Sequence, residues 1–163
     1  MSRVREQSQY FDHVAIRRAV AADIDAVYAI AAAGKLESWS RGSYVNYTRR
    51  ENAVFLVAET DKICGFVVAG VFPAAREAEI HNIAVAPEYR RRGIASQLLR
   101  EISKFLAAGK IENLFLEVRE SNIPAIKTYE KCGFEIIGRR PDFYADPPED
   151  AFIMRKSLTC KTL

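Results

Sequence analysis

The run Ile83-Ala84-Val85-Ala86-Pro87-Glu88-Tyr89-Arg90-Arg91-Arg92-Gly93-Ile94-Ala95 joins a strand-like segment to one of helical periodicity through a basic turn that closes on glycine. A chain with this join ends a strand and starts an amphipathic helix within a few residues, which commits it to an α/β arrangement. The first N–H groups of a helix have no intrahelical acceptor and lie at the positive end of its dipole, so they bind anions readily. Gly93 lets that backbone approach a ligand closely. Three arginines add bidentate phosphate donors, and Ala95 is small enough for a diphosphate to lie over the first turn. On one reading residues 90–95 are an anion cradle. On the other they are a solvated charge run before an ordinary helix, and the rest of the chain must decide.

Length and composition set outer bounds. The 163 residues suit a single domain over 1–163 with a substantial core, and 49% hydrophobic with 28% charged residues is ordinary globular usage. A net charge of +3 is too small and dispersed to argue for nucleic acid, yet it does not oppose a phosphorylated ligand. Cys64, Cys132 and Cys160 are odd in number and lack metal-site spacing, so they read as structural thiols of a reducing compartment. No stretch approaches the roughly eighteen apolar residues a membrane span needs. Residues 1–13 have no apolar core of a leader, so they read as a flexible extension, with 157–163 as a tail. The expected setting is cytoplasmic, without membrane or nucleic-acid partners, as a monomer or homodimer.

Periodicity orders the chain as β-α-β-β-β-α-β-α-β-β. A strand over 14–17 precedes an alanine-rich helix over 21–33, and residues 35–47 then display Trp39, Tyr44 and Tyr47 from a loop and a short helix. Strands over 53–60 and 63–71 meet at Asp61-Lys62, and 77–85 continues as a third. The helix over 93–106 carries Ile94, Leu98, Leu99, Ile102, Phe105 and Leu106 at helical spacing and closes at Gly109. A strand over 113–118 leads to a helix over 125–131 with Pro124 in its first turn, where a missing N–H costs little. Strands over 134–138 and 151–154 finish the chain. The order gives a mixed sheet with helices on its faces, and the cradle and the end of strand 113–118 should open into one cleft beyond splayed parallel strands.

Four linked motifs carry a resemblance. Ile83-Ala84-Val85, Arg90-Arg91-Arg92-Gly93-Ile94-Ala95, Leu116-Glu117-Val118-Arg119-Glu120-Ser121-Asn122 and Ala125-Ile126-Lys127-Thr128-Tyr129-Glu130-Lys131-Cys132-Gly133-Phe134 together resemble the GNAT acetyltransferase superfamily. With Arg139-Arg140-Pro141-Asp142-Phe143-Tyr144 and Glu149-Asp150-Ala151-Phe152-Ile153-Met154, the stretch 78–154 is similar to the RimI branch, bacterial N-terminal acetyltransferases of ribosomal proteins. Glu37-Ser38-Trp39-Ser40 resembles the branch's Pro-Trp-Ser loop, with Ser38 in place of proline. The resemblance implies the GNAT acyl-CoA N-acyltransferase fold, a mixed, mostly antiparallel sheet with splayed central parallel strands and helices on both faces. It implies acetyl-CoA as donor, its diphosphate on the N–H groups of residues 91–95 and its pantetheine arm paired like an extra strand with Ile83, Ala84 and Val85. Arg90 and Ala95 match the first and last cradle positions, and Asn122 and Tyr129 match positions that contact pantetheine and sulfur. Asn122 before Ile123-Pro124 is also good helix-capping chemistry, and Tyr129 on an amphipathic helix also reads as a core tyrosine.

Acetyl transfer to an amine needs a base, an oxyanion donor and an acid for the departing thiolate. Glu117 resembles the branch's general base, and burial would raise its pKa toward a useful range. Its bland alternative is a surface glutamate paired with Arg119 on the same strand face. Glu79, on the preceding strand, is the second candidate, and two-residue periodicity puts His81 on its face. Tyr129 would be the acid and the Val85 N–H the oxyanion donor, with no metal required.

The acceptor is less constrained. An α-amino group titrates near 7.7–8.0 and lysine near 10.4, so deprotonating lysine at neutral pH costs roughly 3.5 kcal/mol more, and a modest base suits a protein N-terminus. Tyr144 would wall the acceptor peptide, with Trp39 and Tyr44 opposite or else in the core. Asp142, Asp146, Glu149 and Asp150 favour a basic peptide, or simply a soluble loop. The leading expectation is direct transfer to the N-terminal α-amino group of a ribosomal-type protein. The alternatives are a small-amine acetyltransferase acting on a polyamine, amino acid or antibiotic, and a non-catalytic acyl-CoA-binding module.

Overall fold

Near-continuous apolar runs in the middle of the chain become the centre of one sheet, because a strand buried on both faces cannot alternate polar residues. The structure, a computed structural model, describes residues 13–36 and 39–159. Its elements are β1 (Ala15–Arg18), α1 (Ile24–Ala33), α2 (Arg41–Arg49), β2 (Ala53–Glu59), β3 (Ile63–Phe72), β4 (Glu77–Val85), α3 (Ile94–Ala108), β5 (Asn113–Arg119), α4 (Ile123–Lys131), β6 (Glu135–Ala145) and β7 (Pro148–Ser157). The seven strands lie in the order β1-β2-β3-β4-β5-β7-β6. Only β4 and β5 run parallel, and every other described pairing is antiparallel, as the mixed sheet requires.

Gly65 and Phe66 show how β3 divides the helices between the two faces, since successive side chains point oppositely. A Cβ built on Gly65 would lie 3.3 Å from Leu98 and 3.4 Å from Ile94, so the bare glycine lets α3 settle close to the sheet. On the other face the Tyr44 ring of α2 meets Phe66 edge-on at 5.7 Å, and Arg41 of α2 lies over Tyr28 of α1 at 4.8 Å. Helices α3 and α4 thus share one side, and α1 and α2 the other. Among the described residues, no helix is long and apolar enough to cross a membrane.

The last hairpin departs from expectation. Strand β6 runs to Ala145 rather than Gly138, and β7 spans Pro148–Ser157 rather than 151–154. Residues 139–144, Pro141 among them, continue the edge strand, where a missing N–H is tolerated. The register shift between Arg140 and Tyr144 absorbs the irregularity.

Candidate active site

Strands β4 and β5 pair only at Glu77↔Asn113, Ala78↔Leu114 and Glu79↔Phe115, and beyond these residues they diverge. The β3 ladder fixes what β4 presents to the gap. The Ala86 N–H donates to the Cys64 carbonyl at 2.8 Å, so in the alternation of an antiparallel pair Gly65↔Val85 and Val67↔Ile83 are the non-bonded positions. The N–H and C=O of Ile83 and Val85 therefore point away from β3, toward the side that β5 has left. A ligand in extended conformation finds a strand edge there.

The turn after β4 leaves an open helix start. Gly93 caps α3 at φ 75°, and a Cβ placed on it would meet no protein atom within 4 Å. Its freedom therefore serves the backbone path and the open space above it rather than internal packing. Arg91 shares the left-handed conformation at φ 63°. The first helical hydrogen bond runs from the Gln97 N–H to the Gly93 carbonyl, which leaves the N–H groups at the start of α3 without helical partners. Arg90, expected at the first cradle position, donates through Nε to the Val85 carbonyl at 3.2 Å and ties the turn to the strand end. Arg92 lies over the Tyr89 ring at 5.4 Å, while the Tyr89 hydroxyl donates to Asp61 at 2.8 Å.

Across the gap, Asn122 caps α4 by accepting from the Ala125 N–H at 3.3 Å. The capping bond uses only its carbonyl oxygen, so the amide N–H2 stays free to serve a ligand. Tyr129 packs against Phe134 at 5.8 Å, and burial holds its phenol above the ordinary tyrosine range, hence protonated.

On the face away from α3, Glu79 and Glu117 meet where the strands begin to part. They line a cleft of about 290 Å³ with Phe72, Phe115 and Arg140. Burial first, then the hydrogen bond and negative charge of Glu79, push the Glu117 carboxyl up to about 7, against the Arg140 guanidinium, which lowers it. Arg140 Nη1 lies 3.4 Å from Glu117 Oε1. The bland reading of Glu117 thus fails in its partner: Arg119 pairs with Glu149 at 3.2 Å and lies over the Tyr144 ring at 4.1 Å.

A protein-family model described as "Acetyltransferase (GNAT) family" matches residues 24–134, a span that includes β4, the cradle, β5 and α4. The chain belongs to the GNAT acetyltransferase family. A [ribosomal protein bS18]-alanine N-acetyltransferase of Haemophilus ducreyi is 33% identical over 142 residues, covering 85% of this chain and 97% of that protein. An N-alpha-acetyltransferase of Sulfurisphaera tokodaii is 32% identical over 155 residues, covering 88% and 92%. The crystal structure of the ribosomal-protein-S18-alanine N-acetyltransferase from Escherichia coli superimposes with a TM-score of 0.81 at 29% identity, covering 93% of this chain and 99% of that one. This protein is therefore an acetyl-CoA-dependent N-acetyltransferase. The donor set fits that cosubstrate, with outward N–H groups at a helix start for a diphosphate and a free strand edge for an amide-bearing arm.

The aromatic residues expected on the acceptor side of this GNAT fold divide. Tyr44 is fully buried, with rings of Phe55 and Phe66 at 6.1 and 5.7 Å, so it belongs to the core and not to a cleft wall. Trp39 packs on Tyr44, Tyr47 and His81 at 5.2, 4.7 and 5.8 Å. Glu37 and Ser38, before it, lie outside the described residues, as does Cys160. His81 is the extra residue of a bulge opposite Val68 and Ala69, and its Nε2 fills the space above Gly70, the partner of Glu79. It lies on the Glu79 face as expected, but burial lowers its pKa and its ring serves the aromatic cluster. The acidic segment is also spoken for: Glu149 accepts from the Ser121 N–H and pairs with Arg119, and Asp150 holds Arg139 and the Asp142 N–H. The sequence reading missed Arg140 as the partner of Glu117. Its place in the motif 139–144 was visible, but its reach across β7 depends on register.

Proposed function

We propose that this protein transfers acetyl from acetyl-CoA directly to the N-terminal α-amino group of a protein, a ribosomal protein being the leading class of acceptor. The observation that carries the reading is a glutamate poised at about 7 where the splayed strands open into a cleft. Such a base matches an α-amino group far better than a lysine. The relatives named for alanine and N-alpha acetylation support the same acceptor. Phe72, 49% exposed, and Arg140, also exposed, rim the cleft, which suits a chain passing along a groove.

Acetyl-CoA, when bound, supplies the activated acetyl thioester. The N–H groups of residues 91–95 hold its diphosphate, aided by the charges of Arg91 and Arg92, with Ile94 anchoring the helix start and Ala95 leaving room. Ile83, Ala84 and Val85 offer the strand edge, Asn122 adds its amide, and the Val85 N–H stands where negative charge develops on the carbonyl oxygen. Glu117 removes the amine proton, with Glu79 beside it, while Tyr129 protonates the leaving sulfur. Trp39 and Tyr144 flank the acceptor.

Tyr129→Phe keeps the ring that packs on Phe134 and deletes only the proton donor. It is expected to lower kcat by about 10²-fold or more, the usual worth of one acid–base group, with the unfolding midpoint unchanged. The acceptor is tested by acetyl-CoA consumption with peptides of varied first residue beside polyamines and free amino acids. Turnover of peptides and not of polyamines supports the reading, and the reverse overturns it.

A further inference from the structure

The ladder explains how an arginine of the edge strand reaches the proton site. Arg140 pairs with Ala151 of β7, while Gly138, two residues before it, pairs with Ile153, which is itself the partner of Glu117. Gly138 adds no side chain to that row. Arg140 extends over β7 to within 3.4 Å of Glu117, while neighbouring Arg139 is held by Glu120 and Asp150. Glu79 lines the same cleft as Glu117 and is a like charge facing it.

The geometry points to Arg140 as a positioning residue that holds and orients the Glu117 carboxylate and favours its ionised form. This rests on the reading of Glu117 as the base and adds what selects Glu117 over Glu79. A guanidinium beside one of two similar carboxyls stabilises negative charge on that one. The surrounding charges do not compete for the role. Glu77 and Glu79 on β4 are like charges, Arg119 on β5 is committed to Glu149, and Arg155 on β7 is paired with Glu135 at 2.9 Å. His81 is held in the aromatic cluster and its pKa is lowered by burial. An amine entering the cleft thus meets its acceptor oxygen on β5.

The test uses two readouts on the full chain with saturating acetyl-CoA: the pH dependence of kcat, and carboxyl 13C NMR titration of Glu117. Arg140→Gln is expected to move the acid limb and the Glu117 titration up by roughly one pH unit, as expected for losing a half-exposed opposite charge. Glu79→Gln, which removes a like charge, moves both down. Arg140→Lys largely restores the wild-type profile, and Arg139→Gln moves neither readout. Shifts of the same sign in Arg140→Gln and Glu79→Gln, or no shift of the Glu117 titration in Arg140→Gln, overturn the proposal. Opposite NMR shifts with an unmoved kcat limb support the charge pairing and overturn Glu117 as the base.

Discussion

Glu117→Gln lowers kcat by about 10²-fold or more and leaves acetyl-CoA affinity within about twofold, because the amide cannot take a proton from the amine and touches no part of the cradle. Steady-state kinetics with a peptide acceptor and calorimetric titration of the cosubstrate check the two halves. The wild-type rate falls as pH drops through about 7, where Glu117 becomes protonated, and the residual rate of the variant lacks that limb. A stability measurement separates lost chemistry from damage. A carboxyl raised above its unfolded value is more protonated in the native state, so its contribution to stability is present at low pH and declines as pH rises from about 4.5 through about 7. The glutamine carries no such penalty, so the inactive variant should melt higher than wild type at pH 8 and no higher at pH 4. A lower melting point at both pH values would mean that Glu117 is structural.

The second large effect lies on the other face. Gly93→Val forces a β-branched residue into φ 75°, which costs about 1–2 kcal/mol, and projects its side chain into the open space above the helix start. That is the space the proposed diphosphate site uses. Loss of one or two charge-assisted hydrogen bonds, at about 1.5–3 kcal/mol each, raises the KM for acetyl-CoA roughly 10²-fold, with acceptor KM little changed. Gly93→Ala gives the smaller part of the effect, since its methyl group reaches less far. An unchanged KM in the valine variant would remove the cradle from the cosubstrate site.

Much of this site could be read along the chain because its parts are local. The strand, basic turn and helix of residues 83–95 need only near neighbours, and so does the Asn122 cap before Pro124. What escaped depends on distant pairing. Glu117 and Arg119 share a strand face in sequence terms, yet their ion-pair partners, Arg140 and Glu149, come from the last hairpin. Tyr44 looked like a display residue because Ser, Gly and Asn surround it, but α2 turns it inward onto Phe55 and Phe66. Residues 139–144 carry the composition of a loop, yet Arg139, Arg140 and Tyr144 pair with β7 around a bulge at which Asp142 takes φ 53°.

The three-residue contact between β4 and β5 also has a mechanical meaning. The sheet is in effect two rafts, β1 to β4 and β5 to β7, joined by a short hinge and by helices that cross behind it. Local opening should begin at such a seam, where few backbone pairs resist separation. A cosubstrate lodged as proposed, along the strand edge from one side and against Asn122 and Tyr129 from the other, would act as the missing rung, and at about 100 times its Kd it would add about 2.7 kcal/mol to the joint. On that placement, cosubstrate saturation would govern how firmly the two rafts are riveted as well as how fast the enzyme works.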